Sequence, residues 1–330
     1  MEVSGGKRSP ARLVGAHPSL IELDRAIAAV APLEAAVLIL GESGTGKELV
    51  ARAIHDRSAR RDEPFLAVNC GAFAAGLLES QLFGHVRGAF TGAVEDRPGV
   101  FHAAGRGTLF LDEIAEMEPE LQARLLRALE AREVVPVGAN IPVPFEARFL
   151  AATNRDLEAD VRDGRFRRDL YYRLRVLELR VPPLRERIED VPALVEHFLE
   201  ELSRGGARRT ISDRALERLL RHRYPGNVRE LRNALERACA LARSPVIEPE
   251  DLPPELRCES EGAREHGATS GFLSLAQMER QHIVRALRMA EGRKSTAARF
   301  LQVDRNRLSR LMKRHGIGAR EDRQADSELG

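Results

Sequence analysis

Residues 37–48, VLILGESGTGKE, constrain this chain more than any other stretch. Val37, Leu38, Ile39 and Leu40 form an aliphatic run that stops at Gly41, as a strand buried on both faces does. Residues 48–55 follow with helix-forming composition. Between them stands Gly41-x-x-x-x-Gly46-Lys47, with a further glycine at Gly44. Glycines let the backbone curl so that its N–H groups converge on a phosphate chain. The lysine adds a point charge for the β- and γ-phosphates, and the helix N-terminus adds donors and about half a unit of positive charge. Gly41, Glu42, Ser43, Gly44, Thr45, Gly46, Lys47 and Glu48 therefore read as a nucleotide cradle. A Gly-rich turn joining any strand to any helix is the alternative, and the full motif in strand–loop–helix context disfavours it. Glu48 stands where the motif wants Ser or Thr to hold Mg²⁺, so the metal must find its protein ligands elsewhere.

Four more apolar runs read as strands: 65–68 ending at Asn69, 108–111 ending in Asp112 and Glu113, 148–152 ending in Thr153 and Asn154, and 176–181 ending at Pro182. Helical sequence separates each strand from the next. The expectation is an α/β fold with a parallel sheet whose polar residues gather at the strands' carboxyl ends, where ligands bind in such sheets. Asp112 and Glu113 at the tip of an apolar strand are costly unless a cation compensates them. Mg²⁺ is the natural one: Asp112 would hold the metal, and Glu113 would polarise the attacking water as general base. A solvated strand end is the plainer alternative.

At 330 residues the chain exceeds one comfortable core, so two or three domains are expected. A net charge of +2 is too mild to imply nucleic-acid binding by the whole chain, and any basic footprint must be local. No apolar run approaches a membrane span, and residues 1–18 lack the apolar core of a signal peptide, so a cytoplasmic chain is expected. Cys70, Cys239 and Cys258 show neither metal-ligand nor redox spacing and are assigned no chemistry.

Residues 189–242 read as a small helical domain, with Ser212 as N-cap before a helix over 213–221 and Asn227 as N-cap before one over 228–241. The stretch 248–271 is rich in Pro, Glu, Gly and Ser and reads as a linker. Ser274 and Gln277 then form a capping box before a helix to about residue 290, broken by Gly292. A short helix over 295–301, a turn at Gln302 and Val303, and a helix over 305–314 with Asp304 as N-cap and Gly316 at C′ have helix-turn-helix spacing. Leu308, Leu311 and Met312 should face the core, leaving Arg305, Asn306, Ser309, Arg310 and Lys313 outside. Lys294, Arg299, Arg305, Arg307, Arg310, Lys313 and Arg314 face a single acid, Asp304, over 294–314. This is the local footprint of a DNA-binding element, against the alternative of a basic solvated bundle.

GESGTGKE at 41–48, GAFTGA at 88–93, GTLFLDEI at 107–114, FRRDLYYRL at 166–174 and YPGNVREL at 224–231 together resemble the AAA+ activators of sigma-54 RNA polymerase. The resemblance runs from about residue 13 to about 252, and the C-terminal segment resembles the Fis-type DNA-binding domain. GAFTGA, in an insertion between the second and third strands, is its specific part. The resemblance implies an ATPase using ATP and Mg²⁺, a homo-oligomeric ring, expected to be a hexamer, and as partners sigma-54 RNA polymerase holoenzyme and double-stranded upstream DNA. It implies that Gly88, Ala89, Phe90, Thr91, Gly92 and Ala93 engage sigma-54, and that Asn69 pairs with Glu113. Thr153 and Asn154 match its first sensor and Arg229 its second. Arg167 and Arg173 match its arginine fingers, which reach across a subunit interface. DNA contacts fall to Lys294, Arg305, Asn306, Arg307, Ser309, Arg310 and Lys313.

The implied boundaries are a disordered 1–12, an α/β ATPase part 13–188, a helical lid 189–247, a linker 248–272, a helix-turn-helix domain 273–318 and a polar tail 319–330. Pro136, Arg106, His102 and Ser309 depart from the family pattern without removing a catalytic group. Fewer than 20 residues precede the ATPase part, so control would come from a partner in trans, or the chain is a truncation. A chaperone-type AAA+ remodeller and a DNA-binding repressor without turnover are the rival readings. GAFTGA and the terminal helix-turn-helix weigh against the first, the intact Lys47, Asp112, Glu113, Arg167 and Arg173 against the second.

Overall fold

The computed structural model describes residues 13–73, 75–203 and 209–257, and further along residues 279, 283, 286, 287, 290, 293–301, 303–315 and 317. The chain divides into two compact units, 1–260 and 261–330. In the first, five strands form one parallel sheet: β1 (Val37–Leu40), β2 (Phe65–Asn69), β3 (Thr108–Asp112), β4 (Arg148–Thr153) and β5 (Leu177–Arg180), in the order β2-β3-β4-β1-β5. β1 lies between β4 and β5, which is why its aliphatic run is unbroken. The chain leaves β1 and returns at the far edge, so the strand order switches direction beside β1, and the crevice at that switch is where such sheets bind ligands.

Alternation along β3 splits its side chains between two cores. Leu109 and Leu111 join the core that includes Leu121 and Leu125 of helix Pro119–Ala131. Phe110 joins the opposite one with Leu23 and Ile27 of helix Pro18–Val30 and Val50 and Ile54 of helix Lys47–Asp56. Arg148, buried at the start of β4, donates to the carbonyls of Val30 (2.8 Å) and Ala31 (2.6 Å), and so satisfies acceptors left over at the end of helix Pro18–Val30.

A third core gathers Leu184, Leu194, Leu231, Leu235, Leu252 and Leu256 and forms the helical lid. Ser212 caps its helix as expected, accepting from Ala215 N (3.3 Å). Two expectations are corrected here. The expected linker is ordered from Glu248 to Arg257, because Leu252 and Leu256 are buried in the lid core among its prolines and acids. Asn227 is not an N-cap: it is the first residue of helix Asn227–Leu241, Gly226 occupies the cap, and the Asn227 side chain turns elsewhere.

In the second unit, helices Lys294–Phe300 and Arg305–Arg314 pack with Ile283 and Ala286 around Leu308 and Met312, and Asp304 accepts from Arg307 N (2.8 Å) as the expected cap. The expectations for residues 1–12, the linker beyond Arg257, Ser274, Gln277, Gly292, Gln302, Gly316 and the tail 319–330 lie outside the described residues.

His55, at the end of helix Lys47–Asp56, is buried with its Nδ1 2.9 Å from Thr108 Oγ1, and burial lowers its pKa from the ordinary 6.5. As the pH falls through about 6.5 the unfolded chain therefore takes up a proton that the folded chain refuses, and stability present above that pH is lost. The slope of urea-unfolding free energy against pH should be shallower in His55→Gln than in the parent between about pH 5.5 and 7; equal slopes would remove His55 as the cause.

Candidate functional site: a nucleotide cradle and two recognition surfaces

The loop between β1 and its helix turns on Gly44 (φ 78°) and Gly46 (φ 102°), left-handed positions that favour glycine. Lys47 is buried and its Nζ donates to Gly41 O (2.9 Å) and Glu42 O (3.2 Å). Burial lowers the lysine's pKa, and the charges of Asp112 and Glu113 oppose that shift. A cavity of about 990 Å³ opens beside the loop. Ser43, Gly44, Gly46, Lys47, Glu48, Asp112 and Glu113 line its polar side, and Val14, Leu49, Leu194, Phe198 and Val228 supply apolar surface. It is large enough for a nucleoside triphosphate and offers charged groups at the loop together with apolar surface.

Asn69 on β2 stands in register opposite Asp112 on β3. Asp112 Oδ1 accepts from Glu113 N (2.9 Å), and burial raises the Asp112 carboxyl against the pull of Lys47. A carboxyl that burial disfavours as an anion, at the end of a parallel strand facing a phosphate loop, is the donor a hard divalent cation takes. Glu113 itself adopts φ 54°, ψ 44°, a strained region for any residue with a side chain. Its Oε2 would lie 2.8 Å from a Cβ at Gly71, and Asn69 Oδ1 3.4 Å from the same point. Asn69 also accepts from Gly71 N (2.8 Å). The structure thus gathers Asn69 and Glu113 around Gly71, a glycine that the sequence reading did not single out and whose signal was its place two residues past a strand end.

Thr153, buried at the end of β4, accepts from Gly41 N through its carbonyl (3.3 Å) and from Arg155 N through Oγ1 (3.1 Å). Asn154 beside it is exposed. Arg229 lines the cavity and its Nη1 donates to Ser43 Oγ (3.0 Å). The lid also grips the loop from outside. Asn227, fully buried at φ 53°, donates to Ser43 O (3.0 Å) and Glu42 Oε2 (3.1 Å) and accepts from Leu184 N (2.8 Å). Arg185 makes a two-pronged pair with Glu42 (2.6 and 2.7 Å), and this hydrogen bonding holds the Glu42 carboxyl below its usual range. Arg185 carries no local sequence signal for this contact, and Asn227 joins loop to lid instead of capping its helix.

Arg167 and Arg173 line no part of the cavity, and both are exposed. Arg167 precedes helix Arg168–Leu174 as its N-cap residue, so the spacing of the two is not helical throughout; its guanidinium pairs with Asp169 (2.6 Å), and Arg173 Nη2 donates to Leu129 O (3.0 Å).

The hexapeptide 88–93 forms a closed turn between β2 and β3, with Gly88 N donating to Ala93 O (2.9 Å) and positive φ at Gly88 and Gly92. Its base is a two-rung ladder of Gly84–His85 with Arg97–Pro98. Phe90 is 44% exposed and stands edge-on to His85, Thr91 and Gly92 are exposed, and Ala93 is buried. In the second unit Lys294, Arg305, Asn306, Arg307, Ser309, Arg310 and Lys313 are all exposed, so the expected footprint is presented to solvent.

This strand order, the phosphate loop and the helical lid against it define an AAA+ ATPase. The chain belongs to the sigma-54-dependent transcriptional activators: residues 13–180 match the sigma-54 interaction domain, 185–269 the AAA+ ATPase lid domain, and 274–315 the Fis family of bacterial regulatory proteins. It is 46% identical to the transcriptional regulatory protein ZraR of Escherichia coli K12, over 90% of this chain and 67% of that one. It is 45% identical to the response regulator PilR of Pseudomonas aeruginosa, over 93% and 70%. The crystal structure of NtrX from Brucella abortus in complex with ADP superposes with a TM-score of 0.71 at 33% identity, over 93% of this chain and 70% of that one, and its complex with ATP does so with 0.71 at 34%, over 92% and 69%. The protein is an AAA+ ATPase and a sigma-54-dependent transcriptional activator that binds DNA through its Fis-type helix-turn-helix.

Asn227→Ala removes three hydrogen bonds, the one from Leu184 N fully buried, and leaves an alanine at positive φ. It should lower stability by about 3 kcal/mol and weaken ATP binding. Urea unfolding and nucleotide titration measure both, and an unchanged ATP affinity would separate the lid attachment from the cradle.

Proposed function

We propose that copies of this chain assemble into a ring, a hexamer in the simplest form, that hydrolyses ATP between subunits and drives the hexapeptide 88–93 against the sigma-54 RNA polymerase holoenzyme. Residues 305–314 meanwhile hold the ring to double-stranded DNA upstream, and the work is done in the cytoplasm, where promoters are. The observation that carries this reading is the position of Arg167 and Arg173, exposed and outside their own cradle, where a neighbouring copy's γ-phosphate can draw Arg167 from Asp169 and Arg173 from the carbonyl of Leu129. An arginine used this way is worth roughly 10³–10⁵ in rate in other nucleotidases.

Within the cradle, Lys47 and the loop N–H groups hold the phosphates, Glu113 accepts the proton of the attacking water, and Asn69 orients Glu113. Asp112 would hold Mg²⁺, which supplies charge neutralisation at the phosphates when bound. Arg229 reads the nucleotide from the lid and Thr153 with Asn154 from the end of β4. Phe90 and Thr91 lie on the exposed side of the hexapeptide, a compact turn that an apolar partner surface can cover.

Glu113→Gln should keep ATP affinity and lose hydrolysis, since the amide preserves shape and removes the base, whereas Lys47→Ala should weaken binding itself; an active Glu113→Gln protein would sink the catalytic assignment. Thr91→Ala should leave hydrolysis largely intact and abolish open-complex formation on a supercoiled sigma-54 promoter. Neutralising Arg305 and Arg310 should instead spare hydrolysis and lower the slope of log K against log salt by about 0.9 for each phosphate that is no longer neutralised. Footprinting over a salt series reads that slope, and an unchanged value would remove both residues from the DNA surface.

A further inference from the structure

Gln122 is a polar side chain with no access to solvent, on helix Pro119–Ala131 among Leu121, Leu125 and Leu126. Burying an amide there is unfavourable unless its groups find partners. They do: Nε2 donates to Met117 O (2.8 Å) and Arg165 O (3.1 Å), and Oε1 accepts from Arg167 N (2.8 Å). The orientation of the amide is forced, because two of the partners can only accept and the third can only donate. All three are backbone groups of two segments distant in sequence. Met117 closes the short turn that begins at Glu113. Arg165 and Arg167 flank buried Phe166 just ahead of helix Arg168–Leu174.

The stretch leading to Arg167 is clamped on two sides. Arg165 N and Phe166 N donate to Asp160 O (2.9 and 3.1 Å), and Gln122 takes the N–H of Arg167 itself. The Arg167 side chain beyond that point is exposed and pairs with Asp169, its near neighbour in sequence. Its direction of departure is therefore set by the backbone that Gln122 holds. A leucine of similar size would fill the space and hold nothing.

We propose that Gln122 is a positioning residue that aims Arg167 toward the nucleotide of a neighbouring copy and ties that aim to the turn carrying Glu113. This rests on the reading of Arg167 as a group that acts across the subunit interface.

The test is ATP hydrolysis by mixtures of full-length variants. Gln122→Leu alone should lose about 10²-fold in turnover, the scale of a small misplacement of a reacting group, while ATP affinity stays within about twofold. Mixed with Lys47→Ala it should regain turnover, because the Lys47→Ala copy lends a well-aimed Arg167 to the sound cradle of the Gln122→Leu copy. Added to Arg167→Ala, Gln122→Leu should cause no further loss. Gln122→Glu, which keeps an acceptor for Arg167 N, should lose less than Gln122→Leu, and Gln122→Met serves the same mixtures should the leucine variant fail to fold. If Arg167→Ala with Lys47→Ala recovers turnover and Gln122→Leu with Lys47→Ala does not, Gln122 acts inside its own cradle and the proposal is overturned. Should the Arg167→Ala mixture itself show no recovery, the trans reading of Arg167 fails and the proposal falls with it.

Discussion

A close approach of two backbones joins the lid to the phosphate loop: a Cβ at Gly44 would stand 2.3 Å from the carbonyl oxygen of Gly226. The outer side of the phosphate loop lies against the start of the helix that carries Arg229. Arg229 N donates to Gly44 O (3.2 Å), and Asn227 closes the junction with bonds to Ser43 and Glu42. The contributions are unequal. Arg185 and Glu42 are both partly exposed, and such a pair is worth up to about 1 kcal/mol. Asn227 is fully buried, so its three bonds carry most of the attachment and would leave unpaired groups behind if broken. Lid and cradle are therefore one mechanical piece at this point.

Charge in the cradle is arranged against burial from both signs. Burial lowers the pKa of Lys47 and raises that of Asp112, and each moderates the shift of the other. Among the described residues neither group has a full complement of partners: the lysine ammonium rests on two carbonyls of its own loop, and Asp112 Oδ1 on one N–H. An anionic phosphate chain would supply what the lysine lacks. The strained backbone at Glu113 belongs to the same arrangement, since the turn to left-handed φ brings its carboxylate beside Gly71 rather than along the strand.

What was legible in the sequence was local. The five strands, the phosphate loop, the Ser212 and Asp304 caps and the outward face of helix Arg305–Arg314 follow from periodicity and from residues a few positions apart. What was not legible depends on partners far along the chain. Asn227 looked like a cap because capping is what an Asn after Pro-Gly does locally, yet its partners are Glu42, Ser43 and Leu184. Residues 248–257 looked like a linker because two leucines among prolines and acids show no period, and only the lid core they enter reveals them. Gln122 looked like one more polar helix position, and nothing near it in sequence points to Arg165 or Arg167.

Helix Pro119–Ala131 meets both of those arginines, the first through Gln122 and the second through the carbonyl of Leu129. The two meeting points are seven residues apart, two turns, and so lie on nearly the same face. One residue inserted or deleted between them would rotate the second by about 100° and slide it by about 1.5 Å, which would part Arg173 from its acceptor. The helix is thus intolerant of length change in a way its amphipathic pattern does not announce. Beyond it, the short ladder of Glu133–Val134 with Val143–Pro144 encloses a loop that Val137 ties to Gly84 and Val86, and changes of length can be absorbed only at its tip, where Ile141 is 76% exposed. Among related chains, gaps in an alignment should fall in that loop and stop at the helix.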